Sequence, residues 1–224
     1  MLVKQSITRS VKAIVDNDLA FQDALQRGYV NYSAMARMIK PSISAILGKD
    51  VSIDSIVTAL KRIRSSYITP SKGISRIISG SKVNVRTDVA KISIVKSRST
   101  IEKISMPLRE YYDSFISVSE GIKSVTMIFD DIILEKMKAL FNEYLLEYES
   151  DLAAIIVESP EEIIKTPGCA LVFYNQLARR KINIEDTISC YTDTIIVVKM
   201  DDVARAFNAL TELIVENRNI KEQQ

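Results

Sequence analysis

The stretch Thr166-Pro167-Gly168 has the make-up of a helix start: a hydroxyl residue to cap it, then a proline whose missing N–H costs nothing in the first turn. From Gly168 onward the first backbone N–H groups would lack partners within the helix. With the positive end of the helix dipole behind them, they suit a carboxylate. Gly168 also lets an anion approach the backbone closely. Paired carboxylates at Asp130-Asp131 and Asp201-Asp202 invite a metal reading. Each pair, however, ends an apolar run and opens a helical pattern, where negative charge is favoured in any case. The chain has no histidine, which removes Ser–His and Cys–His nucleophile pairs and histidine metal sites. Its two cysteines, Cys169 and Cys190, are too few for a zinc site and read as reduced thiols. Gly48-Lys49-Asp50 lacks both the upstream glycine and the hydroxyl residue of a phosphate-binding loop. No acid, base and nucleophile converge, so the expectation is a protein that is not an enzyme and needs no cofactor.

The elements that would position these groups fall into two parts. Up to about residue 66 the pattern is helical. Gly28 is suited to end one helix, Asn31 to cap the next with Met35 and Met38 inward, and Ser52 to cap another carrying Ile53, Ile56, Leu60 and Ile63. Pro41 interrupts or restarts the middle one. Residues 67–88 collect Ser, Gly and Pro and read as a linker, or as a wing. Beyond them strands and helices alternate twice as β-α-β-β-α, in 89–148 and again in 149–218, with 219–224 as a tail. Phe129-Asp130-Asp131 and Met200-Asp201-Asp202 mark the repeat in letters. The last hairpin begins with Ile182, Ile184, Ile188 and Cys190 on one face of a strand and continues with a central strand, 194–198, apolar on both faces. Charge divides with the pattern: residues 1–86 carry fourteen Lys/Arg against five Asp/Glu, and the rest sixteen against twenty-three. No apolar run reaches membrane-span length and the opening residues have no signal-peptide core, so a cytoplasmic protein is expected.

Residues 166–198, TPGCALVFYNQLARRKINIEDTISCYTDTIIVV, resemble an ACT domain, the βαββαβ regulatory module, and are most similar to those at the C-terminus of aspartate kinases. The Pro-Gly helix start, the Ile-Asn-Ile lead into a strand and the Ile-Ser-x-x-x-Thr-Asp hairpin carry the likeness. Residues 89–148 share only the element order and read as a degenerate second copy. The whole chain resembles small archaeal proteins with an Asn-Tyr-Ser-Ala helical front and an ACT back. The resemblance implies an α+β fold: a helical N-terminal domain followed by two ferredoxin-like ACT domains with antiparallel sheets. It also implies sensing of a small amino acid, without a kinase catalytic domain. Its ligand would sit at Thr166, Pro167, Gly168 and Cys169, with Asn183 and the strand edge at Ile184 receiving the ammonium, and Glu158, Ser159 or Asp186 choosing the side chain. Sheets placed edge to edge imply a homodimer.

The basic front end admits two readings. Lys61, Arg62 and Arg64 on the outer side of a helix suit the phosphates of duplex DNA, which would make the protein an amino-acid-responsive transcription regulator. Against this, the candidate helices 31–39 and 52–65 stand some twelve residues apart, where a helix-turn-helix has three or four. Otherwise the cations form a solvated face or dock a protein, and the chain is a regulatory subunit of a separate biosynthetic enzyme. No membrane partner is expected.

Overall fold

The computed structural model describes residues 6–67 and 72–222, and the chain divides into two compact units at the Ser71–Lys72 junction. The first unit is four helices: α1 (Ile7–Asp16), α2 (Leu19–Arg27), α3 (Tyr32–Leu47) and α4 (Ile53–Ile63). Their ends are where the local chemistry puts them. Asp18, Asn31 and Ser52 each cap a helix through a side-chain oxygen, and Gly28 and Gly48 end α2 and α3 in the left-handed region. Val11, Val15, Leu25, Met35, Ile39, Ile43, Ile56 and Leu60 share one core. Two readings change. Pro41 lies inside α3 rather than ending it, so α3 and α4 are joined by five residues, 48–52, not twelve. Met38 is 68% exposed, not inward.

The second unit departs from the expected linker at once. Residues 72–80 form helix α5 (Lys72–Gly80), and the next element is a 14-residue strand, β1 (Lys82–Val95). Residues 68–71 lie outside the described part. Then follow α6 (Arg98–Glu110), β2 (Ile116–Glu120), β3 (Ser124–Asp130), α7 (Leu134–Phe141), a second 14-residue strand β4 (Leu145–Glu158), α8 (Cys169–Arg179), β5 (Asp186–Cys190), β6 (Asp193–Lys199) and α9 (Val203–Glu222). Residues 142–148, expected to be helical, are a short 3-10 turn followed by the first half of β4, so the boundary placed at 148/149 falls within a strand. Residues 219–222 continue α9 rather than forming a tail.

All six strands make one antiparallel sheet, ordered β2-β3-β1-β4-β6-β5. β1 and β4 pair from Lys82↔Glu158 to Ile94↔Leu145. Through this pair each half of the unit obtains its fourth strand from the other. The later part of β1 is the first strand of its own half beside β3, while its earlier part, 82–86, pairs only with β4. β4 is used in the same way, its later part pairing with β6 of its own half and its earlier part only with β1. Both strands change register at their middles, where Asp88 (φ 55) and Asp151 (φ 60) adopt the left-handed region that aspartate tolerates better than most residues. Thr87-Asp88-Val89-Ala90 and Ser150-Asp151-Leu152-Ala153 are thus the letters of the repeat. Phe129-Asp130-Asp131 and Met200-Asp201-Asp202 are not, because the structure matches Asp131–Ile133 to Met200–Asp202. Nor does Asp130 cap a helix. It accepts two bonds from Arg86, at 2.6 and 2.7 Å, and one from the Phe115 amide.

One face of the sheet holds two helix-covered cores. The first half contributes Ile92, Ile94, Met127, Phe129, Met137 and Phe141; the second Ile155, Phe173, Leu177, Ile196, Leu210 and Ile214, with Ile78 of α5. On the opposite face Val89, Ile128, Leu152, Ile195 and Val197 form a smaller apolar cluster. The hairpin strand shows a change of parity. Ile182 and Ile184 precede β5 and pack into the helix-side core, whereas Ile188 packs on the opposite face. The strand begins only at Asp186, so the four residues do not share a face.

Gly80 ends α5 with an ordinary backbone, yet a Cβ there would stand 2.8 Å from Pro160 Cγ. Gly80→Ala is expected to lower stability by about 1–3 kcal/mol through overpacking. Pro160→Ala in the same chain is expected to recover most of that loss, read as a double-mutant cycle in urea unfolding.

Candidate functional site

The connection from β4 to α8 carries most of the expected ligand residues, and the structure disposes them differently from the sequence reading. Glu158 ends β4 and accepts a 2.6 Å bond from Asn84 Nδ2. Ser159 is held from two sides: its amide donates to Thr192 O, and its hydroxyl accepts from Ser81 Oγ at 3.0 Å. Pro160 leads into a 3-10 turn, Glu161–Lys165, and Thr166 finishes that turn by donating its hydroxyl to Glu162 O at 2.7 Å. Thr166 is therefore not the cap of α8 and Pro167 is not its first residue. The helix begins two residues later, at Cys169, with Gly168 at the N-cap position in the left-handed region (φ 89) and no side-chain cap. Helix geometry leaves the first amides beyond Gly168 without intrahelical partners, as expected, though the glycine serves its own φ as much as any ligand. A Cβ on Gly168 would lie 3.7 Å from Ile74 Cδ1 of α5, an ordinary contact.

The remaining residues of the set face their own neighbours. Asn183 Nδ2 donates to Glu185 Oε1 at 2.8 Å, Asp186 accepts from the Thr187 amide at 2.6 Å, and Ile184 packs into the core. Cys169 is 1% exposed, and burial pushes its thiol up from the ordinary value.

A cavity of about 360 Å³ lies beside the β4–α8 connection, lined by Gly73, Arg76, Ile77 and Gly80 of α5 and by Pro160, Glu162 and Thr166. Of the expected ligand residues only Thr166 lines it. Sequence reading missed the α5 side altogether, because Ser, Gly and Pro around residue 70 suggested a linker. The signal that was present is Ile74, Ile77 and Ile78 at helical spacing.

The matching loop of the first half is closed. Ser97 and Thr100 form a full capping box at the start of α6, Lys96 pairs with Glu120, and Arg98 pairs with Glu102 at 2.9 Å. The depression there, about 450 Å³, is lined by Lys96, Arg98 and Glu102, each of which already has an ion-pair partner. Among the described residues no group of three or more acids and cysteines is placed to hold a metal.

Lys61, Arg62 and Arg64 are not equally available. Arg64 is turned inward: its Nε donates to Leu25 O at 3.2 Å, satisfying a carbonyl of the last turn of α2, and its Nη2 occupies the space a Cβ on Gly28 would need. Lys61 Nζ lies 5.8 Å from the centre of the Tyr32 ring. Arg62 borders an open depression, with Ile7, Thr8, Asp54, Ser55, Thr58 and Ala59. Moving the boundary to residue 71 also assigns Lys72, Arg76, Lys82 and Arg86 to the sheet unit, which lowers the excess of positive charge on the helices.

Residues 147–212, under a third of the chain and all within the second half of the sheet unit, match the family model of the ACT domain. Among solved structures the chain is similar to the aspartate kinase of Clostridium acetobutylicum, at 19% identity and a TM-score of 0.51, over 59% of this chain and 34% of that one. It is also similar to E. coli aspartokinase III in complex with aspartate and ADP, at 13% identity and a TM-score of 0.50, over 59% and 33%. The chain thus spans about a third of the length of these kinases, and at such identities the likeness is one of fold. No curated protein matches the sequence. Among the described residues no helix is long and apolar enough to cross a membrane.

Alkylation under native conditions is expected to modify Cys190, which is exposed, and to leave Cys169 unmodified until the chain unfolds, as read by mass spectrometry of the two peptides.

Proposed function

We propose that this protein is a non-catalytic regulator that senses a small amino acid through its ACT half. The observation that carries the reading is the contrast between two equivalent loops. In the first half the helix start is closed by a capping box. In the second, within the ACT-family match, the helix start has no side-chain cap. Whereas the first-half depression is lined by Lys96 and Arg98, each paired with an acid, the cavity beside the second-half loop is lined by Arg76 and Glu162, which have no ion-pair partner among the described residues. The ligand would act by binding one arrangement of the protein better than another. The aspartokinase complex with aspartate and ADP belongs to that enzyme and is no guide to the amino acid here. A second copy of the chain would add at the free edges, β2 and β5, each five residues long.

The output we assign to the helical unit is duplex DNA, and the specific support is the turn between α2 and α3. Only four residues, 28–31, separate these helices, the spacing that the pair α3 and α4 lacks. This makes α3 the element offered to a groove, with Ser33 and Arg37 exposed on it, and leaves Lys61 and Arg62 for phosphates.

In a thermal-shift series with each of the twenty amino acids, one is expected to raise Tm by several degrees when well above its Kd. Absence of any shift would remove the sensing reading. Random duplex DNA is expected to be retarded at about 50 mM salt and released at about 200 mM, with Arg37→Ala weakening retention. No retardation at low salt would instead favour docking of the helices on a separate enzyme.

A further inference from the structure

We propose that the cavity between α5 and the β4–α8 connection is the receptor for a free α-amino acid, with Arg76 holding the carboxylate and Glu162 the ammonium. The inference rests on the sensing reading and gives it a site that the ACT motif itself does not contain, since α5 precedes the first strand of the unit.

The four α5 residues that line the cavity, Gly73, Arg76, Ile77 and Gly80, recur at i, i+3, i+4 and i+7, and so make up one helical face. The other side of α5 is fastened. Ser75 Oγ donates to Asn217 Oδ1 at 2.6 Å, and Arg218 donates to Ser79 O and Ser81 O, both at 2.9 Å. The lining face is thus presented by a helix tied to α9, a rigid wall rather than a loop. The two glycines on that face differ. Gly80 is required by Pro160, whose Cγ would collide with a Cβ. Gly73 is required by nothing in the packing: its backbone is ordinary and a Cβ there would meet no atom within 4 Å. Its side of the cavity is open space next to a residue that favours no helix.

The charges complete the argument. Among the described residues the Arg76 guanidinium and the Glu162 carboxylate, both exposed, have no ion-pair partner in the structure. One fork-shaped cation and one carboxylate on opposite walls of a 360 Å³ space match the two ends of a zwitterion, whereas a simple anion would leave Glu162 unanswered. The volume suits a small metabolite. Ile77, 2% exposed, supplies an apolar floor, and the Thr166 hydroxyl, already donating to Glu162 O, still has lone pairs for an ammonium proton.

Isothermal titration of the full chain with each of the twenty amino acids tests this. The amino acid that binds is expected to lose about tenfold or more in affinity with Arg76→Gln and with Glu162→Gln. Gly73→Leu, which fills the cavity at an unstrained position, is expected to abolish binding with an unchanged or higher Tm. The Nα-acetyl and carboxamide derivatives of that amino acid assign the ends. Acetylation should weaken binding to the wild type but make no further difference in Glu162→Gln, and amidation should behave likewise with Arg76→Gln. Full binding in all three variants would overturn the site while leaving amino-acid sensing intact. No binding of any amino acid to the wild type would overturn both.

Discussion

The sheet unit depends on one pairing, β1 against β4. Each strand is at least twice the length of the hairpin strands, and each serves both halves: its later part is the first strand of its own half and its earlier part completes the other. A half alone would expose an unpaired strand edge along β1 or β4. Joined through β1 and β4, the halves leave only two short edges, β2 and β5. The left-handed aspartates at 88 and 151 mark the price of this arrangement, for both strands must change register near the point where their duties change.

Within that shared frame the halves have diverged in what they leave open. The first closes its helix start with Ser97 and Thr100 and matches Lys96 and Arg98 to acids. The second starts α8 from Gly168, moves Thr166 into a separate turn, and borrows α5 to wall a cavity. The same economy appears in the helical unit, where Arg64 has a structural task at the end of α2, so a count of basic residues overstates the charge on offer.

Local chemistry was legible wherever a neighbour in sequence decided the outcome. The caps at Asn31 and Ser52, the left-handed Gly28 and Gly48, the hairpin strands and the central apolar strand 193–199 all follow from short-range preferences and periodicity. The α+β class was readable for the same reason, while the ACT likeness of the second half rested on the resemblance of residues 166–198 to a known family. Legibility failed where a distant segment decided. Leu145, Leu146 and Tyr148 continue a helical spacing from α7, yet they are strand because β1 offers a partner along its whole length. Ile182 and Ile184 alternate with Ile188 in sequence, yet the chain enters β5 only at Asp186 and the parity changes.

By itself the sequence determined that histidine chemistry is absent, that helices precede an antiparallel sheet, and that a helix start near Gly168 would offer unpaired amides. Only the tertiary structure decided that residues 72–80 are a helix and that its glycine-bearing face lies across from Glu162. The reason is one of range. Caps and periodicity are settled by residues within a turn or two. Whether Arg76 finds an acid, and whether Gly73 borders a side chain or empty space, depends on residues some ninety positions away along the chain, which no local preference encodes.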